Sequence, residues 1–219
     1  MAELIVDYES ELFNIPRMEK NLINKVIAFS GTIGKQRLIE ELVQQSEDAF
    51  DHIFIFASRN VYPNIDNRLY HVMDIKTILG RLSRDREDKL FIIDDSVFTD
   101  NANSSIWDHI KEAIINNKYY RLTIFLSLQS PLPIPADIWK NIKYTFYTPE
   151  RFIRNSRQIL AMYSTPHDDA DEELFLEIMD CIGKARNHYL CIKNQVSGTP
   201  NTIRDLLNNG AIYYYSILN

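Results

Sequence analysis

The chain has 219 residues, 45% of them hydrophobic and 25% charged, with 6 glycines, 8 prolines and a formal net charge of −6. Such a chain can bury a full core without disulfides or metals, and it fits one large domain or one domain with an appendage. The acid excess excludes a nucleic-acid binder that works over its whole surface, because that requires phosphate-neutralising Lys and Arg; no apolar run approaches the roughly 18 residues of a membrane span.

Residues 1–20 are polar and weakly periodic. They carry Glu3, Asp7, Glu9 and Glu11 and lack the basic-then-apolar order of a signal peptide. They read as an N-terminal arm packed over a single domain formed by residues 21–219. Lys25 to Phe29 is a short apolar run of the fully buried strand type. Ser30-Gly31-Thr32-Ile33-Gly34-Lys35 follows, and then Leu38, Ile39, Leu42 and Val43 recur at helical spacing. Strand, glycine turn and helix make the first half of a βαβ unit. The second strand is His52 to Ala57, and a helix is expected from Ile75 to Arg84. Arg81 to Lys89 reads as a charged loop. Leu90 to Ile93 is a third buried strand ending in Asp94-Asp95, and a helix follows around Ile106 to Ile115.

Leu122 to Leu128 is the fourth strand, and Pro131 to Pro135 is an extended loop, since proline fixes φ and keeps the preceding residue out of a helix. A strand at Tyr144 to Tyr147, helices over 150–163 and 170–184, and a strand at His188 to Ile192 complete the pattern. Tyr213-Tyr214-Tyr215 reads as a last strand. Buried strands alternating with helices predict an α/β fold, a mostly parallel sheet with helices on both faces. Cys181 and Cys191 fall in or beside apolar runs and form no CxxC pair. They read as buried free thiols of a reducing compartment, in an intracellular chain or one packed in an intracellularly assembled particle. The five histidines show no ligand spacing with them, and Trp107 and Trp139 read as packing anchors.

In such sheets ligands bind at the carboxyl ends of the strands, and Gly34-Lys35, Asp94-Asp95 and Gln129 each follow a strand immediately. A phosphate-binding loop, G-x-x-x-x-G-K-[ST], needs glycines so that backbone N–H groups can face phosphate at a helix N-terminus. Its lysine serves the β/γ-phosphates and its Ser or Thr serves Mg²⁺. Here the stretch reads Phe29-Ser30-Gly31-Thr32-Ile33-Gly34-Lys35-Gln36. The second glycine and the lysine are present. Phenylalanine stands where the first glycine belongs, and glutamine replaces the metal-binding hydroxyl. Four apolar residues followed by Asp94-Asp95 have the form of a Walker B strand, whose first acid holds Mg²⁺ and whose second polarises water. Gln129 stands where a sensor would reach the γ-phosphate. Charge is segregated further on. Lys140, Lys143, Arg151, Arg154 and Arg157 form a basic stretch, and seven acids without a base lie between Asp168 and Asp180. Two differently used faces, or simply a pair of solvated helices, would both look like this.

Taken in order, Val26 to Tyr147 resembles the poxvirus-type genome-packaging ATPases, a branch of the HerA/FtsK-like P-loop motors. The loop, the His52–Phe56 strand, the Asp94-Asp95 strand, and Leu126 to Gln129 followed by Ile134-Pro135 match that family's order. Asn187 to Lys193 resembles its late strand. The resemblance implies a P-loop NTPase-like fold in which Gly31, Gly34, Lys35 and Gln36 cradle ATP, Asp94 holds Mg²⁺, Asp95 is the catalytic acid and Gln129 the sensor. Lys118 stands where the family carries an arginine that acts across a subunit boundary. The departures are Phe29, Gln36 and Lys118. The implied function is ATP-driven movement of genomic DNA into a capsid, by a ring oligomer, at the viral assembly site in host cytoplasm or in the virion. The basic stretch would be the duplex-DNA or neighbour contact. The alternative is a catalytically inactive descendant acting as a structural or binding partner in virion assembly. A small nucleotide kinase is disfavoured, because nothing supplies an arginine-rich acceptor lid.

Overall fold

Among the described residues eight segments enter one sheet: β1 Val26–Ser30, β2 His52–Phe56, β3 Tyr70–Val72, β4 Lys89–Ile93, β5 Leu122–Leu128, β6 Ile142–Tyr147, β7 His188–Lys193 and β8 Ile212–Ser216. The helices are α1 Lys35–Gln44, α2 Ile75–Leu82, α3 Asn103–Ile115, α4 Ala136–Trp139, α5 Ile153–Leu160, α6 Asp169–Lys184 and α7 Ile203–Asn208. This computed structural model describes residues 24–31, 33–58, 61–65, 70–72, 75–82, 86–97, 103–129, 134–148, 153–163, 169–184, 188–194 and 202–216. The expected arm over 1–20, Pro131 to Pro133, and Arg151 lie outside the described residues.

The strand order is β3-β2-β4-β5-β1-β6-β7-β8. Every pair from β3 to β6 is parallel, while β7 is antiparallel to both β6 and β8. Parallel neighbours need a crossover that carries the chain back to the end where it began. The chain from β6 to β7 passes through two helices, α5 and α6, and β7 starts beside the end of β6.

Along β1 the side chains alternate between two cores, as a period of two requires. Ile27 and Phe29 join Leu38, Ile39 and Leu42 of α1 on one face. Val26 and Ala28 join Trp107, Ile110 and Ile114 of α3 on the other. β4 splits likewise, Leu90 and Ile92 against Phe91 and Ile93. A third cluster joins Tyr147, Leu190 and Ile192 to Phe175 and Ile178 of α6. The sheet is therefore covered on both faces.

Three features differ from the sequence reading. The charged tract over 81–89 is not all loop. Arg81 and Leu82 end α2, and Lys89 opens β4 with 1% of its surface exposed. The Lys89 ammonium survives burial because it donates to the carbonyls of Glu87 (3.0 Å) and Tyr120 (3.4 Å). The strand β3 and the helix α7 were also not anticipated. Helix α7 starts at Thr202, whose hydroxyl accepts from the Asp205 amide at 3.0 Å, while Asp171 of α6 accepts from the Ile203 amide at 2.6 Å. This is an ordinary N-cap, readable in Thr202-Ile203-Arg204-Asp205. Cys191 is buried as expected, whereas Cys181 is only half-buried; both are free thiols. Trp139 stacks edge-on against Tyr163 at 5.9 Å. Among the described residues no helix is long and apolar enough to cross a membrane.

Burial pushes the Cys191 thiol and the Tyr147 phenol, in adjacent strands, well above their usual values. Both stay protonated in the folded chain, while the unfolded chain ionises near pH 8.5 and 10 respectively. Stability is therefore full below about pH 8.5 and falls as pH rises, by about 1.4 kcal/mol per pH unit for each group once its unfolded pKa is passed. Denaturant melts between pH 7 and 11 test this. In Cys191→Ala the decline is expected to begin near pH 10 instead.

Candidate functional site

The carboxyl ends of β1, β4, β5 and β6 meet at one edge of the sheet, where four loop residues carry the chain from β1 to α1. The phosphate-loop consensus places four residues between its glycines, whereas here only Thr32 and Ile33 separate Gly31 from Gly34. Phe29, at the position of the consensus first glycine, is a ladder residue of β1. It is fully buried, stacked on Phe146 at 5.4 Å and edge-on to Phe125 at 5.1 Å. The strand has taken two residues from the loop, so the glycine that opens the loop is Gly31. Its φ is 120°, a conformation side chains rarely adopt. A Cβ there would lie 2.0 Å from the Thr148 hydroxyl oxygen. That hydroxyl is buried and without a hydrogen-bond partner among the described residues, and the Thr148 amide donates to the Ser30 carbonyl at 3.0 Å.

Gly34, with φ 82°, caps α1 at its N-terminus. Its carbonyl accepts from the Leu38 amide at 3.0 Å and from the Tyr189 hydroxyl at 3.3 Å. Lys35 begins the helix and is 7% exposed. Its ammonium donates to Asp95 Oδ2 at 2.5 Å and to the Leu128 carbonyl at 2.9 Å. The same carbonyl accepts from the Gly31 amide at 3.3 Å. Lys35 thus joins the loop to the ends of β4 and β5, as the sequence order implied.

Asp94 is buried. Its amide donates to the Phe56 carbonyl at 2.9 Å, its Oδ1 accepts from the Ser96 amide at 3.0 Å, and its Oδ2 accepts from the Tyr62 hydroxyl at 2.9 Å. Tyr62 is 1% exposed; burial, and then the neighbouring Asp94 carboxylate, push its phenol far up. Its segment, 61–65, is tied to α1, since the Asn64 side-chain amide donates to buried Glu40 at 2.9 Å. Sequence reasoning missed Tyr62, Thr148 and Tyr189. Only the turn residues Pro63 and Asn64 marked the segment that delivers Tyr62, and nothing in the spacing pointed to Asp94.

Gln129 ends β5 at the same edge and is exposed, and Gln36 is exposed on the first turn of α1. Lys118 is not brought to the site. It lies in the turn before β5, where the Arg121 amide donates to its carbonyl at 3.2 Å and the Lys89 amide donates to the Arg121 carbonyl at 3.1 Å. That is the opposite edge of the sheet, about 20 Å away along a strand of this length. The basic stretch is divided too. Lys140 and Lys143 flank the start of β6, while Arg154 and Arg157 lie on α5 beyond its other end. Arg157 donates from Nε to Glu172 of α6 at 2.7 Å, so part of the segregated charge is a helix-to-helix pair.

The residues that the implied Mg²⁺ would need are already engaged within the chain, which leaves a poor fit for a divalent ion. Both Asp94 oxygens already accept from the chain's own donors, Asp95 holds the Lys35 ammonium, and residue 36 offers no hydroxyl. Among the described residues no group of three or more His, Cys, Asp or Glu side chains is disposed to hold a metal.

No family model matches this sequence, and no curated protein is similar to it in sequence. Solved structures do match. The genome packaging NTPase B204 of Sulfolobus turreted icosahedral virus 2 in complex with AMPPCP aligns over 89% of this chain and 98% of its own, with 14% identity and a TM-score of 0.59. The same protein in complex with AMP aligns over 90% and 100%, with 15% identity and a TM-score of 0.61. EssC (ATPases 2 and 3) from Geobacillus thermodenitrificans aligns over 86% of this chain and 42% of its own, with 14% identity and a TM-score of 0.51. The fold is that of the P-loop NTPases.

Gly31→Ala is expected to destabilise the chain by roughly 2–4 kcal/mol, from left-handed strain plus the clash with Thr148, read as a drop in thermal midpoint. In a Thr148→Ala background most of the steric part is recovered, the residue-148 Cβ still lying 3.2 Å away, and the conformational part is not.

Proposed function

We propose that this chain is a nucleotide-binding subunit of a viral DNA-packaging assembly, with ATP held at Gly31 to Gln36. The observation that supports it is the placement of Lys35 against Asp95 and the Leu128 carbonyl, at the strand edge where doubly wound sheets take their ligands. The match in fold to a genome packaging NTPase over nearly the full length of both chains points the same way. Lys35 is the phosphate contact, with the loop amide of Gly34 beside it and Gly31 turning the chain into the helix. Asp95 is the group poised to accept a proton from attacking water, and Gln129 is the side chain at the γ-phosphate end. The subunit works as a homo-oligomer or beside a partner protein, with duplex DNA near the basic residues Lys140, Lys143, Arg151 and Arg154.

Two readings of its chemistry stand. As a motor, it turns ATP over with Asp95 as the catalytic acid and Lys118 of a neighbouring copy in the arginine's role. As an inactive relative, it binds nucleotide and acts structurally in virion assembly. The second is favoured by the engaged Asp94 and by Gln36, since phosphoryl transfer on this fold draws most of its stabilisation from metal and cationic contacts.

Lys35→Ala is expected to weaken ATP binding at least about tenfold, as loss of a charge-assisted phosphate contact should, measured by isothermal titration; unchanged affinity overturns the loop assignment. Asp95→Ala is expected to keep binding. A wild-type chain that hydrolyses ATP with duplex DNA, and loses this in Asp95→Ala, selects the motor. A wild type without turnover selects the inactive relative.

A further inference from the structure

Three cations or donors occupy what a metal-dependent loop would leave to the ion. The Tyr62 hydroxyl is on Asp94 Oδ2, the Ser96 amide is on Asp94 Oδ1, and the Lys35 ammonium is on Asp95 Oδ2. Tyr62 and Asp94 are both buried, so their bond is not exchanged cheaply for water. Removing one partner of a buried carboxylate leaves it unsatisfied. The 61–65 segment is fixed in turn through Asn64 to Glu40 of α1. The turn that carries Tyr62 is therefore anchored to the helix that carries Lys35. At residue 36 the consensus hydroxyl is replaced by an exposed glutamine.

We propose that this loop takes the polyphosphate of a nucleotide without a divalent cation, Tyr62 having withdrawn Asp94 from metal ligation. The proposal rests on the nucleotide-binding reading above and adds how the phosphate charge is met. An ammonium has three N–H donors. Lys35 spends one on Asp95 and one on the Leu128 carbonyl, and the third is left for a phosphate oxygen. The other donors are the amides of the short glycine turn at the start of α1, a ten-residue helix whose N-terminal dipole favours anions. Because Asp95 is already neutralised by Lys35, it repels an arriving phosphate less than a free carboxylate would. Asp94, held by two donors, keeps its charge dispersed below the loop.

The test is isothermal titration of ATP into the full chain, once in excess EDTA and once in excess MgCl₂. The two affinities are expected to agree within about threefold, less than half of a tenfold step on the free-energy scale. Binding at least about tenfold tighter with Mg²⁺ overturns the proposal while leaving the nucleotide reading in place. No binding in either buffer overturns both. Tyr62→Phe frees Asp94 Oδ2 and is expected to bring in Mg²⁺ dependence; a variant as indifferent to Mg²⁺ as the wild type overturns the role given to Tyr62. Should that variant not fold, Mn²⁺ alone serves as the probe. The wild-type protein is expected to leave the free-ion resonance signal undiminished, and a stoichiometric loss that Asp94→Asn abolishes overturns the proposal.

Discussion

An ammonium group buried to within 7% of full enclosure must be met by acceptors, and the position of Lys35 is therefore fixed by where acceptors exist. Two are supplied, the Asp95 carboxylate from the second residue after β4 and the Leu128 carbonyl at the end of β5. Because β5 lies between β4 and β1 in the sheet, one side chain from the first turn of α1 reaches both. The glycine turn is held short by the same requirement. A longer loop would lift the start of α1 away from the Leu128 carbonyl, which also anchors the Gly31 amide. The phenylalanine at position 29 belongs to this constraint as well. It extends β1 into the loop and packs between Phe125 and Phe146, with burial of such a ring contributing roughly 1.5–3 kcal/mol.

The carboxylates Asp94 and Asp95 are adjacent in sequence but face different demands. Asp95, half-buried at the start of a short 3₁₀ turn, neutralises a cation. Asp94 points into a buried polar knot with Tyr62 and the Ser96 amide. Hydrogen bonds from the chain replace water around that buried carboxylate. The result is a polar centre in which the chain's own groups satisfy one another. That is the physical content of the departures seen at Gln36 and Lys118: the loop keeps its lysine while the groups that would serve a metal or a neighbouring site are altered or elsewhere.

Most of the frame was legible in the amino-acid sequence. Runs such as Leu90 to Ile93 and Leu122 to Leu128 are apolar without alternation, which only a doubly covered strand tolerates. Lys35, Asp94, Asp95 and Gln129 each followed such a run, so their convergence on one edge could be read from order alone. Other features were hidden for identifiable reasons. Strand β3 spans three residues, too few to show a period. Lys89 looks like loop because its charge is offset by backbone carbonyls that no sequence pattern displays. Tyr62 reaches Asp94 across 32 residues, and Thr148 meets Gly31 across a strand pair; contacts of that range depend on the register of the sheet. The reversal of β7 likewise depends on how the chain crosses over through α5 and α6, which no local pattern displays.

That reversal places the start of β7 beside the loop, and Tyr189 there holds the Gly34 carbonyl. On the neighbouring strand, the Tyr215 hydroxyl donates to Gln45 just past the end of α1. Helix α1 is thus pinned at both ends by tyrosines from the antiparallel corner of the sheet. A tilt of the helix strains bonds to β7 and β8 alike, so the glycine loop and the antiparallel corner share one mechanical frame.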